Sequence, residues 1–300
     1  FDIVKTRVDI WLSPWAQASG AAYQLVQSQI AVAAGGLVGT GPGLGSPFFI
    51  PVAISDFIFP AVAEETGLLG GSALILLLMI LVMRGISVAQ TTKTTFGRYL
   101  AFGISAYLGL QTFFIIGGNL GVLPLTGITL PFFSYGGSSL VTNLLAVMLL
   151  LRISSDPAAE PLPAPIRRPY RWVSAVFLVL FVLLIGATSW LAIFQREELL
   201  SKPENPRWVV YDRYSPRGSI LSQSGEELAI TTGESGSYQR ELLVPSLSNT
   251  IGFTSGLYGQ DGLELSQYQW WRGYSGRDYD TLLRHQLLYN QPPPGVDIKL

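Results

Sequence analysis

The chain of 300 residues contains no cysteine. That excludes disulfides and thiolate metal sites. It has a single histidine, His285, which argues against a histidine-based metal site and against a Ser-His-Asp triad. Charge is scarce: Asp, Glu, Lys and Arg make up 13% of the residues, about half the usual share. The formal net charge is -1, so no basic field points to nucleic acid. No signal-peptide pattern opens the chain at Phe1. Together with the unterminated "PPPGVDIKL" at the other end, this reads as an internal piece of something longer.

What is abundant is apolar. Hydrophobic residues make up 49% of the chain and its mean hydropathy is +0.38, the balance of a membrane protein. A membrane helix needs roughly 20 apolar residues, and four stretches qualify. The first runs from about Asp56 to Met83 and ends at Arg84. The second and third share the stretch Tyr99 to Leu151, which has no Asp, Glu, Lys or Arg. A Gly/Pro-rich patch, "GGNLGVLPLTGITLPFFSYGG", divides it into two helices and a loop. The fourth is "WVSAVFLVLFVLLIGATSWLAIF", Trp172 to Phe194, with Trp172 and Trp190 placed as interfacial anchors.

Lys and Arg set the expected orientation. Arg84, Lys93 and Arg98 lie between spans one and two, and Arg152, Arg167, Arg168 and Arg171 between spans three and four. Those loops are expected to be cytoplasmic. Asp56, the loop around Gly121–Gly127 and everything beyond Phe194 then face outward. "SSDPAAEPLPAPIRRP" (Ser154 to Pro169) reads as a Pro/Ala linker.

The expected fold class is an α-helical polytopic membrane domain with four spans, followed by a small extracytoplasmic α+β domain. Residues 1–55 form an outer loop with short surface or re-entrant helices. Residues 56–152 carry three spans, 153–171 a cytoplasmic linker, 172–194 an anchor, and 195–300 the α+β domain. "GAAYQLVQSQIAVAAGGLVG" is helical in period but too short and polar to span, and "GTGPGLGSP" is a loop. In the last part, "RWVVYDRY", "GSILSQSG", "ELAITT" and "YQRELLV" read as short strands. "LSQYQWWRGY" and "DYDTLLRHQLLY" read as short helices.

Carboxylates at the mouth of an apolar span raise a question of function. An ionised carboxylate in hydrocarbon costs several kcal/mol or finds a partner. Asp56 precedes the first span, and Glu64 and Glu65 lie within it. On an ideal helix Glu64 would sit roughly 80° round from Asp56 and Glu65 about 180°. Asp56 is also a candidate N-cap. The two glutamates either meet donors on other helices or touch a substrate. "LPFFSYGGSSLV" (Leu130 to Val141) breaks and restarts a helix at the outer face. Its freed N–H groups and the hydroxyls of Ser138 and Ser139 suit an anionic group. The bland reading is a tight capped turn.

The string "LPFFSYGGSS" resembles the signature of the FtsW/RodA/SpoVE family of polytopic wall-synthesis glycosyltransferases. "YQLVQSQIAVAAGGLVGTGPGLGS" and "DFIFPAVAEETGLLG" resemble two further blocks of that family, in the same order. The resemblance covers the family's C-terminal half. It implies polymerisation of a lipid-linked disaccharide (lipid II): the acceptor 4-hydroxyl attacks the donor's anomeric carbon and undecaprenyl pyrophosphate leaves. It implies that Asp56 is the catalytic base. The leaving pyrophosphate needs positive charge, and Lys5 and Arg7 are the only basic residues upstream of Asp56; Gln27, Glu64, Ser134, Gly136, Gly137, Ser138 and Ser139 are the further substrate-binding candidates. No cofactor is implied beyond a divalent cation at the pyrophosphate, whose ligands and identity the sequence does not name. The usual Pro-Glu-Ala-His-Thr before "DFIF" is "PVAIS" here, so Val52, Ile54 and Ser55 stand where Glu, His and Thr are expected.

"NPRWVVYDRYSPRGSILSQSGEELA" and "SGLYGQDGLELSQYQWWRG" resemble the pedestal of a class B penicillin-binding protein, and "PPPGVDIKL" resembles the strand leading to its transpeptidase domain. The chain has no Ser-x-x-Lys and no Lys-Thr-Gly, so no acylated serine is assigned. Arg217 and Gly218 are expected to be a paired arginine and a turn glycine, Trp270 and Trp271 core or contact aromatics, and His285 a surface or packing histidine. The resemblances together imply a fusion of a polymerase with the anchor and pedestal of its transpeptidase partner, in a bacterial plasma membrane. The alternatives are a lipid-linked precursor flippase and a non-catalytic scaffold.

Overall fold

The computed structural model describes residues 2–92, 94–155, 164–202, 204–207, 216–234, 236–252, 254–255, 259–260, 262–267, 270 and 295–299. Two compact units emerge, Phe1–Arg196 and Glu197–Leu300. The readings made for "RWVVYDRY" beyond Arg207, for Trp271, for "DYDTLLRHQLLY" and for His285 lie outside the described residues.

The first unit is helical. Its elements are α1 (Asp2–Leu12), α2 (Tyr23–Gly35), α3 (Ile58–Thr91), α4 (Thr95–Asn119), α5 (Gly137–Ser154) and α6 (Ala164–Ser189), the last closed by a π-turn at Trp190–Phe194. Among the described residues four helices are long and apolar enough to cross a membrane: Ile58–Thr91, Thr95–Asn119, Gly137–Ser154 and Arg168–Phe194. They coincide with the four apolar stretches. The first runs past Arg84 to Thr91, because nothing breaks it before Thr92 turns extended (φ -70°, ψ 145°). The fourth begins at Ala164, inside the stretch read as linker, with Pro169 within the helix.

α3 and α4 form the centre. Leu74, Leu78, Val82, Gly85, Ile86 and Ala89 on α3 are buried at three- and four-residue spacing. Ala101, Ser105, Leu108, Thr112, Ile115 and Ile116 answer them from α4. Small residues set the approach of the helices. A Cβ on Gly85 would sit 2.1 Å from Ser105 Oγ, and one on Gly109 only 2.4 Å from the ring of Phe177 on α6.

α2 is buried on nearly every face, from Leu25 to Gly35. A surface position is therefore ruled out for it. At 13 residues it is about 20 Å long, short of the roughly 30 Å of a hydrocarbon core. It packs on α3 and on the π-turn of α6.

α3 is broken. Gly67 (φ 69°, ψ -167°) is not helical, so two helical segments meet there. A break inside an apolar helix frees backbone groups that must find partners. The glycine-rich loop after α2 supplies them. Thr40 N donates to Glu64 O (2.9 Å) and Gly41 N to Glu65 O (3.0 Å). On the other side of the break, Leu68 N donates to Gly36 O (2.8 Å) and Leu69 N to Leu37 O (3.2 Å). Only glycines allow this approach: a Cβ on Gly39 (φ +91°) would lie 2.1 Å from Glu65 O, and one on Gly35 2.0 Å from Ala63 O.

The second unit is a small α+β body. Its main sheet has the order β3-β2-β1-β6. The strands are β1 (Ile220–Leu221), β2 (Glu227–Thr232), β3 (Gln239–Leu242) and β6 (Ile298–Lys299), with β4 (Thr254–Ser255) and β5 (Gly259–Gln260) paired separately. β1 and β6 run parallel; β1–β2 and β2–β3 are antiparallel. Ile220, Ala229 and Ile251 form its core. Above them Glu264 holds two guanidiniums, Arg217 at 2.6 Å and Arg240 at 2.8 Å. Arg217 is thus paired, as expected. Gly218 is not a turn glycine: it lets β6 approach, since a Cβ there would fall 2.0 Å from Val296 O. Trp270 is 43% exposed and belongs to no core.

Two stability outcomes are expected. Gly39→Ala lowers the melting temperature of the detergent-solubilised protein, whereas Gly103→Ala, an exposed helical glycine with open space at its Cβ, raises stability by about 0.5–1 kcal/mol. Glu264→Leu, which leaves two buried guanidiniums without their carboxylate, costs about 3–5 kcal/mol in denaturant unfolding of the second unit.

Candidate functional site

Asp56 lies in the turn ahead of α3, half-buried, not in the helix. Phe57 is the N-cap residue and makes no side-chain cap. The N-cap role expected for Asp56 is therefore overturned, and so is the angular relation to Glu64 and Glu65. Both assumed helical geometry from residue 56, but helix begins only at Ile58.

Instead the turn is gripped through its backbone. Tyr135 N donates to Ile54 O at 2.8 Å. Ser134 Oγ donates to Ser55 O. Asn119 Nδ2 donates to Asp56 O at 3.0 Å. Three consecutive carbonyls are thus each held by a group 63 to 81 residues away. The carboxylate itself accepts a hydrogen bond from Ser55 Oγ on Oδ1 (2.8 Å). Its Oδ2 faces Gly127, where an added Cβ would lie 3.7 Å away.

The partners are rigidly supplied. Ser134 is 7% exposed and its hydroxyl also accepts from Leu130 N (2.7 Å), so it closes its own turn while gripping Ser55. Asn119 ends α4, and its main-chain oxygen accepts from Ser28 Oγ on α2 (2.6 Å). Ala31, Ile50 and Phe57 pack beneath, with Leu125 and Ala53 against them. Val52 (φ 59°) and Phe132 (φ 68°) are left-handed on either side of the clamp. For a β-branched residue such as Val52 that conformation is strained. Val52 and Ile54 are 59% and 62% exposed, so apolar side chains stand open beside Asp56.

A partly buried polar chain runs alongside. Gln111 Nε2 donates to Thr129 O (2.8 Å), Thr129 Oγ1 pairs with Ser139 Oγ (2.7 Å), and Asn143 Nδ2 reaches Ser139 Oγ (3.3 Å). Ser139 is therefore committed to protein partners. Gly136 is the extended N-cap of α5, followed by the exposed Gly137 and Ser138.

The remaining candidates divide. Arg7 is exposed and its Nη1 donates to Leu125 O (3.2 Å) and Thr126 O (3.3 Å), next to Gly127. It joins the rim of the cluster. Lys5 is exposed on α1 and has no bond tying it to the cluster. Gln27 is fully buried within α2. Glu64 is fully buried, and its Oε1 accepts from Ser46 N at 3.0 Å. Its donor thus comes from this chain's own glycine-rich loop. Glu65 lies beside Gly45 of that loop, whose added Cβ would sit 3.3 Å from Oε1. Among the described residues no three His, Asp or Glu side chains converge on a metal position.

Asn119, Ser28, Gly127 and the Gln111–Thr129 pair were not singled out by sequence reasoning. The available signal was an uncharged span carrying buried Gln and Asn at all.

The model of the cell cycle protein family FtsW/RodA/SpoVE matches residues 2–158, more than half of the chain. The chain belongs to that family. The peptidoglycan glycosyltransferase RodA of Mycobacterium tuberculosis (strain ATCC 25618 / H37Rv) is 46% identical over 162 residues, covering 54% of this chain and 34% of that protein. The probable peptidoglycan glycosyltransferase FtsW of Geobacter metallireducens is 42% identical over 162 residues, covering 53% and 43% respectively. That of Coxiella burnetii is 46% identical over 155 residues, covering 50% and 42%. The chain thus spans roughly a third to two-fifths of the length of these relatives.

Ser134→Ala removes both the donor to Ser55 O and the acceptor for Leu130 N. A loss of about 1–3 kcal/mol is expected in thermal unfolding, against less than about 0.5 kcal/mol for Ser138→Ala at its exposed position.

Proposed function

We propose that this chain carries the catalytic turn of a peptidoglycan glycosyltransferase that polymerises lipid-linked disaccharide, with Asp56 as general base. The observation that carries this reading is the three-carbonyl clamp on residues 54–56, which fixes a half-buried carboxylate whose Oδ2 is not used by Ser55. A sugar hydroxyl is a weak nucleophile at neutral pH, and a positioned base accelerates its attack by typically 10²–10⁴-fold. Oδ2 takes the proton of the acceptor 4-hydroxyl as that oxygen bonds to the donor's anomeric carbon. The bond to the lipid pyrophosphate breaks on the opposite face, inverting the centre. Ser55 holds Oδ1 so that Oδ2 is presented. Arg7, at the neighbouring rim, would meet the pyrophosphate's charge.

Magnesium takes one or two carboxylates plus substrate phosphates. Among the described residues Asp56 is the one carboxylate of this cluster, and together with the substrate's phosphates it would hold such a cation, which would neutralise charge on the leaving pyrophosphate. The exposed Val52 and Ile54 replace polar neighbours, which makes the clamped Asp56 the main chemical group of the turn.

In this reading residues 56–152 are the end of the polymerase and residues 172–194 an anchor. Residues 195–300 are the pedestal of a class B penicillin-binding protein, facing outward with Asp56. The asymmetry of Arg84, Arg98, Arg152 and Arg171 around the spans supports that orientation. Joining the two modules in one chain would raise their effective concentration. The flippase reading draws on the broken α3 with Glu64 beside the break, a feature of transport sites. Here the freed groups are already taken by the loop at Gly36–Gly41, which favours a structural break.

The test is polymerisation of lipid-linked disaccharide by the purified full-length protein, wild type against Asp56→Asn at matched expression. Glycan chains from the wild type and a loss of at least about 100-fold in the mutant are expected. Equal polymerisation by both sinks the assignment of Asp56, and no glycan from either favours a scaffold.

A further inference from the structure

We propose that Asn119 is a positioning residue for the base, and that it holds Asp56 in register with α2 as well as with α4. The inference rests on the reading of Asp56 given above. Asn119 is 1% exposed. Its Nδ2 donates to Asp56 O (3.0 Å), while its own main-chain oxygen accepts from Ser28 Oγ (2.6 Å). One residue therefore joins the buried helix α2, the end of α4 and the catalytic turn.

The state of its other amide atom separates this from ordinary packing. Asn119 Oδ1 is buried without a hydrogen-bond partner. An orphaned buried acceptor is destabilising; an apolar residue of the same size would avoid that penalty but would strand Asp56 O, so the two effects on stability offset each other. The orientation of the amide is set by Asp56 O: turned over, Oδ1 would face a second acceptor and Nδ2 would lose its partner. The residue keeps an unfavourable oxygen and a single side-chain bond, and that bond ends on the main chain of the base. Stability alone does not explain this choice; placement of Asp56 does.

The consequence is kinetic. A displacement of the order of 1 Å at a catalytic group costs about 10²-fold, while the substrate's contacts elsewhere are untouched. Asn119→Ala and the space-filling Asn119→Leu are compared with wild type in the full-length protein. The readouts are kcat and KM with lipid-linked disaccharide, and melting temperature. Thr112→Val, a buried hydroxyl of α4 that bonds only within its own helix to Leu108 O, is the control. Asp56→Asn is run beside them.

We expect kcat to fall 10- to 100-fold in Asn119→Leu, with KM within about twofold of wild type and the melting temperature little changed, because loss of the donor to Asp56 O is offset by removal of the stranded Oδ1. Asn119→Ala follows in kcat with some loss of stability, and Thr112→Val keeps its activity. Wild-type kcat in a folded Asn119→Leu overturns the inference. So does a rise in KM, or a fall in activity that only tracks a fall in melting temperature in both variants. If Asp56→Asn is itself active, the catalytic reading fails first, and that result is separate from any outcome at Asn119.

Discussion

The carbonyls of Ile54, Ser55 and Asp56 are taken in succession by Tyr135 N, Ser134 Oγ and Asn119 Nδ2. Much of the first unit is arranged so that these three donors meet one turn. α4 must end at Asn119 and the loop must return through Leu130–Tyr135 before α5 restarts at Gly137. A backbone clamp suits a catalytic carboxylate better than a salt bridge would. It fixes position without neutralising the charge or occupying both oxygens, so the carboxylate remains free to accept a proton.

The second constraint is the break at Gly67. A membrane helix that opens in hydrocarbon must have its N–H and C=O groups satisfied by protein. Here a loop rich in glycine lies against the break, close enough that a Cβ at Gly35, Gly39 or Gly67 would overlap backbone. The same loop brings Ser46 N to Glu64. The buried glutamate thus belongs to the loop's anchorage, and the path from α2 through Ser28 to Asn119 links that anchorage to the turn that carries Asp56.

Much was legible in advance, for physical reasons. Spans are long apolar runs, and the four runs coincide with the four long helices. The strands "ELAITT" and "YQRELLV" are bounded by Gly, Ser and Pro and form β2 and β3. The failures are of one kind. Asp56 as N-cap, Gly218 as turn glycine and the angle from Asp56 to Glu64 each assumed local geometry where a distant segment decides. Phe57 occupies the N-cap position instead, Val296 explains Gly218, and the helix starts too late for the angle to apply.

The sequence alone determined what short-range chemistry governs: the number of spans, the scarcity of charge within them, the family motifs and the presence of a carboxylate at the mouth of α3. Only the tertiary structure decided what holds that carboxylate. Asn119, Ser134 and Tyr135 are separated from the turn by 63 to 81 residues, and no periodicity or propensity carries information over that distance. A hydrogen bond between remote groups exists only once packing has brought them within about 3 Å, and here it is the packing of α2, α3 and α4 that does so.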